Sequence, residues 1–389
     1  MEYRTLRQNS YATVSCVRGN KHQLPEKFLT DVTPLQKFIF LRYINIAFNE
    51  LKNLVPLENL HNLLVLNASY NQITEFPVGN WPALTHLYLD HNRITELREV
   101  HMPRLQLLSL NNNHLTKLFN TLNGEPVLNG RDLPELHTLE LAHNKLYLLD
   151  KASPDDLGAP VSLRIQLPKL KALFLNHNAL TSLATYKLCP KTRFVNMLDE
   201  LPTVEDDADD VFHKEHNAAK PPETDAAPPE ENNQGESTEI APPLEEQVVG
   251  EEEEFIWIRE ENGSALGDLP QLSVLSLRSN GLLDLDGLTY KAVPKLQYLN
   301  LRENAIGLLD EVNKLAAFPR LQTLILLENP IYNLKDYRLE MRINLQTLRR
   351  LDKDTYTPEE NDEADKIAEE RQKERLAAEV IVSEFNILP

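Results

Sequence analysis

Apolar residues recur along the chain in one string, L-x-x-L-x-L-x-x-N-x-L, nine times over. It starts as Leu41, Ile44, Ile46, Asn49 and Leu51, and returns from Leu63, Leu84, Leu105, Leu136 and Leu170, then after a gap from Leu272, Leu296 and Leu321. Ala68 is the single departure from its apolar positions. The x-L-x-L-x part alternates with period two, which predicts a short strand with one face inward and the residues between pointing out. One repeat cannot bury its leucines alone. Stacked roughly 4.8 Å apart, the strands form a parallel sheet over one continuous core. The Asn ends each strand, where its side chain can satisfy backbone groups of the turn. A second apolar set, such as Leu54, Leu57 and Leu60, closes the convex side.

The string, with its basic spacing of 21 to 25 residues, resembles the leucine-rich-repeat family. The expected fold class is an α/β solenoid: an arc of about nine short repeats with a parallel concave sheet, a cap at each end and a C-terminal helix. Residues 1–40 lack the string but carry Val14, Val17, Leu24, Phe28, Leu29 and Leu35, as an N-terminal cap requires. Repeats 1–6 occupy 41–189 and repeats 7–9 occupy 269–334. Residues 335–356, with Tyr337, Arg338, Leu348, Leu351 and Asp352, resemble the C-terminal cap of intracellular leucine-rich-repeat proteins, in which a helix and a final turn seal the last repeat. The segment 357–389 is a charged helical tail: Thr357 is its N-cap, Pro358 its first helical residue, and Glu360 stands three residues after the cap. It has few large apolar residues before Leu376, so it buries little against the array, and is either a solvated helix or one laid along a neighbouring subunit.

Insertions break the spacing. Phe119–Pro134 and Lys151–Pro168 carry Gly, Pro and Asp and are expected to loop out. Residues 190–268 form a long Pro- and Glu-rich insertion, expected to be largely disordered. Near its end, Phe255, Ile256, Trp257 and Ile258 follow four glutamates and read as a buried or edge-docking strand or as a partner-binding linear motif.

Charge changes the picture in one place. The 389 residues carry a net charge of −19, and residues 199–261 alone hold 22 acidic and 3 basic residues. The remainder is balanced, at 37 of each sign, so no domain-wide basic field draws the protein to nucleic acid or an anionic membrane. Two cysteines, Cys16 and Cys189, make no disulfide framework, and no apolar run resembles a signal peptide or a membrane span. The expectation is a soluble intracellular protein.

A search for chemistry returns little. Phosphate-binding glycine loops, a nucleophile elbow and an H-E-x-x-H pair are all missing, and no cofactor or metal is expected. His91, His143 and His177 share one repeat position just before the ladder Asn; without acidic or cysteine ligands beside them they read as a surface ladder. What the array offers is a binding face. Tyr43, Phe48, Tyr70, Tyr88, His91, Phe174 and Tyr298 are its candidate contact residues, scattered aromatics among polar positions, a mixture suited to docking a protein.

The C-terminal third supports a narrower resemblance. The run PKLQYLNLRENAIGLLDEVNKLAAFPRLQTLILLENP, the run LRRLDKDTYTPEENDEADKIAEERQKER, and LRYINIAFNELKNLVPLENLHNL near the start resemble a family of axonemal leucine-rich-repeat proteins of the third radial spoke head in motile cilia and flagella. The resemblance assigns Leu351, Asp352, Lys353 and Tyr356 to the cap and has Glu363, Ala364 and Asp365 open the tail helix. It implies a non-enzymatic scaffold supporting ciliary motility, a monomeric subunit of a large cytoskeletal assembly whose partners are other radial spoke proteins. In that family the acidic stretch precedes the repeats, whereas here it interrupts them. A general intracellular adaptor, dynein-associated or phosphatase-regulating, is the alternative.

Overall fold

The computed structural model describes residues 4–8, 11–15, 29–79, 81–98, 101–116, 118, 127–146, 165–190 and 255–385. Residues 1–187 and 258–389 form one unit, and residues 188–257 another.

Each apolar string yields the strand its alternation predicts. After β1 (Arg4–Gln8) and β2 (Tyr11–Ser15) come β3 (Leu41–Asn45), β4 (Val65–Asn67), β5 (His86–Tyr88), β6 (Leu107–Ser109), β7 (Thr138–Glu140) and β8 (Ala172–Phe174). The series continues with β9 (Ala184–Pro190), β10 (Phe255–Ser264), β11 (Val274–Ser276), β12 (Tyr298–Asn300), β13 (Thr323–Ile325), β14 (Arg350–Leu351) and β15 (Asp354–Thr355). Thirteen of them make one sheet that runs from β1 to β8 and then directly to β11 and on to β15. Pairing is parallel from β2 to β14, with an antiparallel pair at each end, β1–β2 and β14–β15. An antiparallel hairpin folds each end strand back on itself, a compact way to close a parallel stack.

The central leucine of every three-residue strand is fully buried, as at Leu66, Leu87, Leu139, Leu275 and Leu299. A second ridge lies three residues before every string but the first, and before Leu348 of the cap: Leu60, Trp81, Met102, Leu133, Leu167, Leu269, Val293, Phe318 and Leu345 are all buried, whereas Phe38 is exposed. The carbonyl of each accepts the N–H of the string's first leucine, as in Leu84 to Trp81 at 3.2 Å and Leu272 to Leu269 at 3.1 Å. This ridge corrects two boundaries. Val127, Leu128 and Leu133 are core residues, and so are Ile165 and Leu167, so the ends of both short insertions belong to the array instead of looping out. The two segments also meet in an isolated parallel bridge between Asn129 and Gln166.

The long insertion leaves the array without disturbing it. Leu275 in β11 pairs in register with Leu173 in β8, although about a hundred residues separate them. Its edges are ordered: β9 and β10 pair in a two-stranded sheet, and Ala265, Leu266 and Leu269 are buried. The array therefore resumes before residue 268, earlier than the composition suggests, because the apolar lead-in to repeat 7 lies inside the acidic-looking segment. Gly287, at φ 82°, fits against this junction, where a Cβ would stand 1.9 Å from the Leu183 carbonyl oxygen.

Three α-helices lie toward the C-terminus: α1 (Leu309–Asn313), α2 (Tyr337–Asn344) and α3 (Pro358–Phe385). The Thr357 hydroxyl accepts the Glu360 N–H at 3.3 Å and Glu360 Oε2 accepts the Thr357 N–H at 2.8 Å, the reciprocal cap its sequence predicts. The tail is more firmly held than its lack of apolar residues suggests. Ala364 is fully buried, and Arg371 donates two hydrogen bonds to Glu340 of α2, at 2.9 and 2.7 Å.

Candidate interaction surface

The ladder asparagines set the geometry of the face. Asn92 Oδ1 accepts the Ile73 N–H of the preceding repeat at 3.0 Å, while its Nδ2 donates to the Ala68 carbonyl at 3.1 Å and to Leu89 of its own repeat at 3.0 Å. Asn304 makes the same three bonds to Leu282, Leu277 and Leu301. Asn280 does so across the long insertion, accepting from Leu180 at 3.2 Å and donating to Leu175 at 3.1 Å. The residue before each Asn then has to turn left-handed: φ is 59° at Phe48, 57° at Tyr70, 53° at His91, 55° at His143, 52° at His177 and 58° at Glu303. Such a backbone costs a non-glycine residue roughly 1 kcal/mol or more. It is offset by a bond from that residue's N–H to the next repeat, as from Tyr70 to Asp90 at 2.8 Å and from His177 to Arg278 at 2.8 Å.

These turn residues form a column along the edge of the sheet. In the N-terminal half the column is aromatic except at Asn112 in repeat 4, which divides it into two stacks. Phe48 stacks on Tyr70 with centroids 4.3 Å apart, Tyr70 on His91 at 4.0 Å, and His143 on His177 at 4.1 Å. Phe48 and Tyr70 are nearly half exposed, at 47% and 43%. Burial and the neighbouring His143 hold the His177 imidazole below its ordinary pKa. Beside the stack, Tyr88 and Asp90 join Phe48, Asn67, Tyr70 and His91 around a cavity of about 390 Å³. Ser109 donates to Asp90 at 2.5 Å and lies 3.1 Å from Glu140, which accepts from Asn111 Nδ2 at 2.7 Å. Burial, then the carboxylates of Glu140 and Asp90, push the Tyr88 phenol up.

Of the seven residues expected on this face, the structure joins Phe48, Tyr70 and His91 in one stack with Tyr88 next to it. Tyr43, Phe174 and Tyr298 stand on separate strands. Their register neighbours are Thr13 and Val65 for Tyr43, Glu140 and Ser276 for Phe174, and Val274 and Thr323 for Tyr298.

The cap residues converge. Asp352 Oδ1 accepts the N–H groups of Leu326 and Leu327 at 2.7 and 3.0 Å, the first a position that earlier strands satisfy with the next strand's backbone, as from Leu301 to Ile325 at 2.8 Å, and Tyr337 donates its hydroxyl to Oδ2 at 3.1 Å. The carboxylate thus ends the sheet. Burial, then Asp352, push the Tyr337 phenol well above its ordinary range. Leu348 and Leu351 are buried beneath, and the Arg338 guanidinium lies 4.2 Å over the Tyr356 ring. Arg338 also donates to Glu360 at 2.6 and 3.0 Å, which, with the Thr357 backbone, holds that carboxyl at about 2. Arg342, Glu340 and Arg371 were not legible as cap residues, because nothing in the chain's pattern pairs α2 with a helix some twenty residues later.

A family model described as leucine-rich repeat matches residues 258–381. The chain folds as a leucine-rich-repeat solenoid. Curated relatives match part of the chain: it is 45% identical to leucine-rich repeat-containing protein 23 of Bos taurus over 102 residues, 26% of this chain and 30% of that one. The same protein of Xenopus tropicalis is 45% identical over 106 residues, 27% of this chain and 30% of that one. The match therefore spans under a third of either relative. Among solved structures, an internalin (inlF) of Listeria monocytogenes aligns over 84% of this chain and 72% of its own at 18% identity, with a TM-score of 0.41.

The leucine-rich-repeat fold supports protein–protein interaction in general. Among the described residues no group of three or more His, Cys, Asp or Glu is placed to hold a metal ion, and no helix is long and apolar enough to cross a membrane. Phe255, Ile256, Trp257 and Ile258 fall in β10, with their side chains outside the described residues, as are those of Val14, Val17, Leu24 and Phe28.

Proposed function

We propose that this protein is a non-enzymatic structural and interaction scaffold of the motile cilium or flagellum axoneme, a monomeric subunit of the third radial spoke head whose partners are other spoke proteins. The similarity to leucine-rich repeat-containing protein 23 carries the reading. The face described above supports it, because exposed stacked rings on a rigid ladder bind a protein partner at low entropic cost. Fractionation of motile cells tests it: tagged protein should stay with detergent-extracted axonemes, and its release with the soluble fraction would sink the proposal. Cross-linking mass spectrometry on those axonemes should then place spoke proteins against the concave face. An adaptor that uses only that face would keep its partner after deletion of residues 357–389, whereas the spoke reading expects the deletion to weaken incorporation.

A further inference from the structure

At the far end of the array a groove of about 670 Å³ lies between repeat 9, α2, the β14–β15 hairpin and the start of α3. Its polar lining includes the guanidinium groups of Arg342 and Arg349 and the carboxamides of Gln322, Gln346 and Asn361, and no Asp or Glu lines it. Outside residues 199–261 the chain has equal numbers of acids and bases, so a lining with two cations and no acid is a local asymmetry. Arg342 is a buried residue, 8% exposed. Its Nε donates to Asn361 Oδ1 at 2.7 Å and its Nη2 sits 3.1 Å from Asp365 Oδ1, but Nη1 is buried with no acceptor. A charged donor left unsatisfied is costly, so the site is incomplete as it stands. Asp365 answers one of the two guanidinium groups. Arg349 is exposed and forms no ion pair among the described residues. The Tyr356 hydroxyl, also on the lining, is already spent on the Arg338 carbonyl at 3.0 Å.

We infer that this groove is a second docking site, which takes carboxylate side chains from an acidic segment of a partner protein. A carboxylate offers two acceptor oxygens, matching Arg342 Nη1 at the inner side and Arg349 at the rim, with the Asn361 and Gln346 amides as further donors. The site is separate from the aromatic column and stands whether or not the axonemal reading does. It gives the cap a role beyond sealing the core.

The test uses the full-length chain and a fluorescein-labelled hexaglutamate peptide followed by anisotropy. Saturable binding is expected, with hexaglutamine failing to bind. Arg349→Glu, on the surface, should weaken binding at least about tenfold, and Arg342→Gln should do the same; Arg104→Glu, exposed in repeat 4, should leave it unchanged. Urea melts of each variant separate loss of the site from loss of the cap. Unchanged binding in Arg349→Glu overturns the inference, as does equal binding of hexaglutamine. So does complete displacement by inorganic phosphate at the peptide's own concentration, which would make this a site for the free ion. Binding that appears only after residues 199–254 are replaced by a neutral linker would show the chain's own acids in the groove and overturn the partner reading too.

Discussion

Repeats 1–6 and repeats 7–9 share one backbone and differ in what they hang on it. The turn column keeps the same left-handed φ throughout, 57° at Tyr70 and 58° at Glu303. In the first half it carries rings in two stacks, divided by Asn112; in the second it carries Ser279 and then the carboxylates of Glu303 and Glu328. Arg278 grips Glu303 with two hydrogen bonds, at 3.2 and 2.7 Å, Ser279 donates to the same carboxylate, and Arg302 pairs with Glu328. The strand positions follow suit: Asp90 and Glu140 in the first half form no ion pair among the described residues, whereas Arg278 and Arg302 in the second are both compensated. The ladder of asparagines and leucines fixes the frame, and the outward positions are free to differ because they add nothing to the core. On this face one half keeps carboxylates with no cation opposite them, and the other pairs its charges with one another.

The comparison can be broken first at the frame. Asn92→Ala and Asn304→Ala each strip three buried backbone groups of their partner, so each should cost about 3 kcal/mol in urea denaturation, and by the same amount in both halves. A large inequality would mean that the halves do not share one ladder. Next comes the cap. Asp352→Ala leaves Leu326, Leu327 and Tyr337 without an acceptor and should cost about 2 kcal/mol, with hydrogen exchange quickening first at Leu326 and Leu327. A smaller loss, about 1 kcal/mol, is expected for Tyr70→Ala, which removes two stacking contacts at an exposed site.

Acid should tell the halves apart with the smallest effects. His177 has its pKa lowered in the fold, so its contribution is whole above about pH 6.5 and is lost as the pH falls through the folded value. Glu303, held at about 2, first by Arg278, contributes fully above about pH 4.5 and loses this between there and about 2. Urea midpoints measured across pH should therefore flatten below 6.5 in His177→Asn and only below 4.5 in Glu303→Gln. The Glu303 component should shrink with added salt, since its carboxylate is partly exposed.

Much of the frame was legible beforehand. The period-two alternation placed every central strand leucine in the core, and the Thr357-Pro358-Glu359-Glu360 cap reads off the sequence because it depends on residues three apart. Less of the surface was. Phe48, Tyr70 and His91 were candidates, but their stacking was not readable, since it requires the left-handed turn that brings residues about 21 apart face to face. The Ser109, Asp90 and Glu140 network and the Arg342 groove were invisible for the same reason: their partners lie on different strands or helices.

By itself, then, the sequence determined the repeat, its register and its core, because a periodic burial pattern is a local property written once per repeat. Tertiary structure alone decided that repeat 7 docks on repeat 6 across the insertion, that along the turn column rings stack in one half and ions pair in the other, and that α2 and α3 meet over a groove with an unsatisfied arginine. Each of these depends on groups far apart in the chain, and only the stacking of the array brings them within reach of one another.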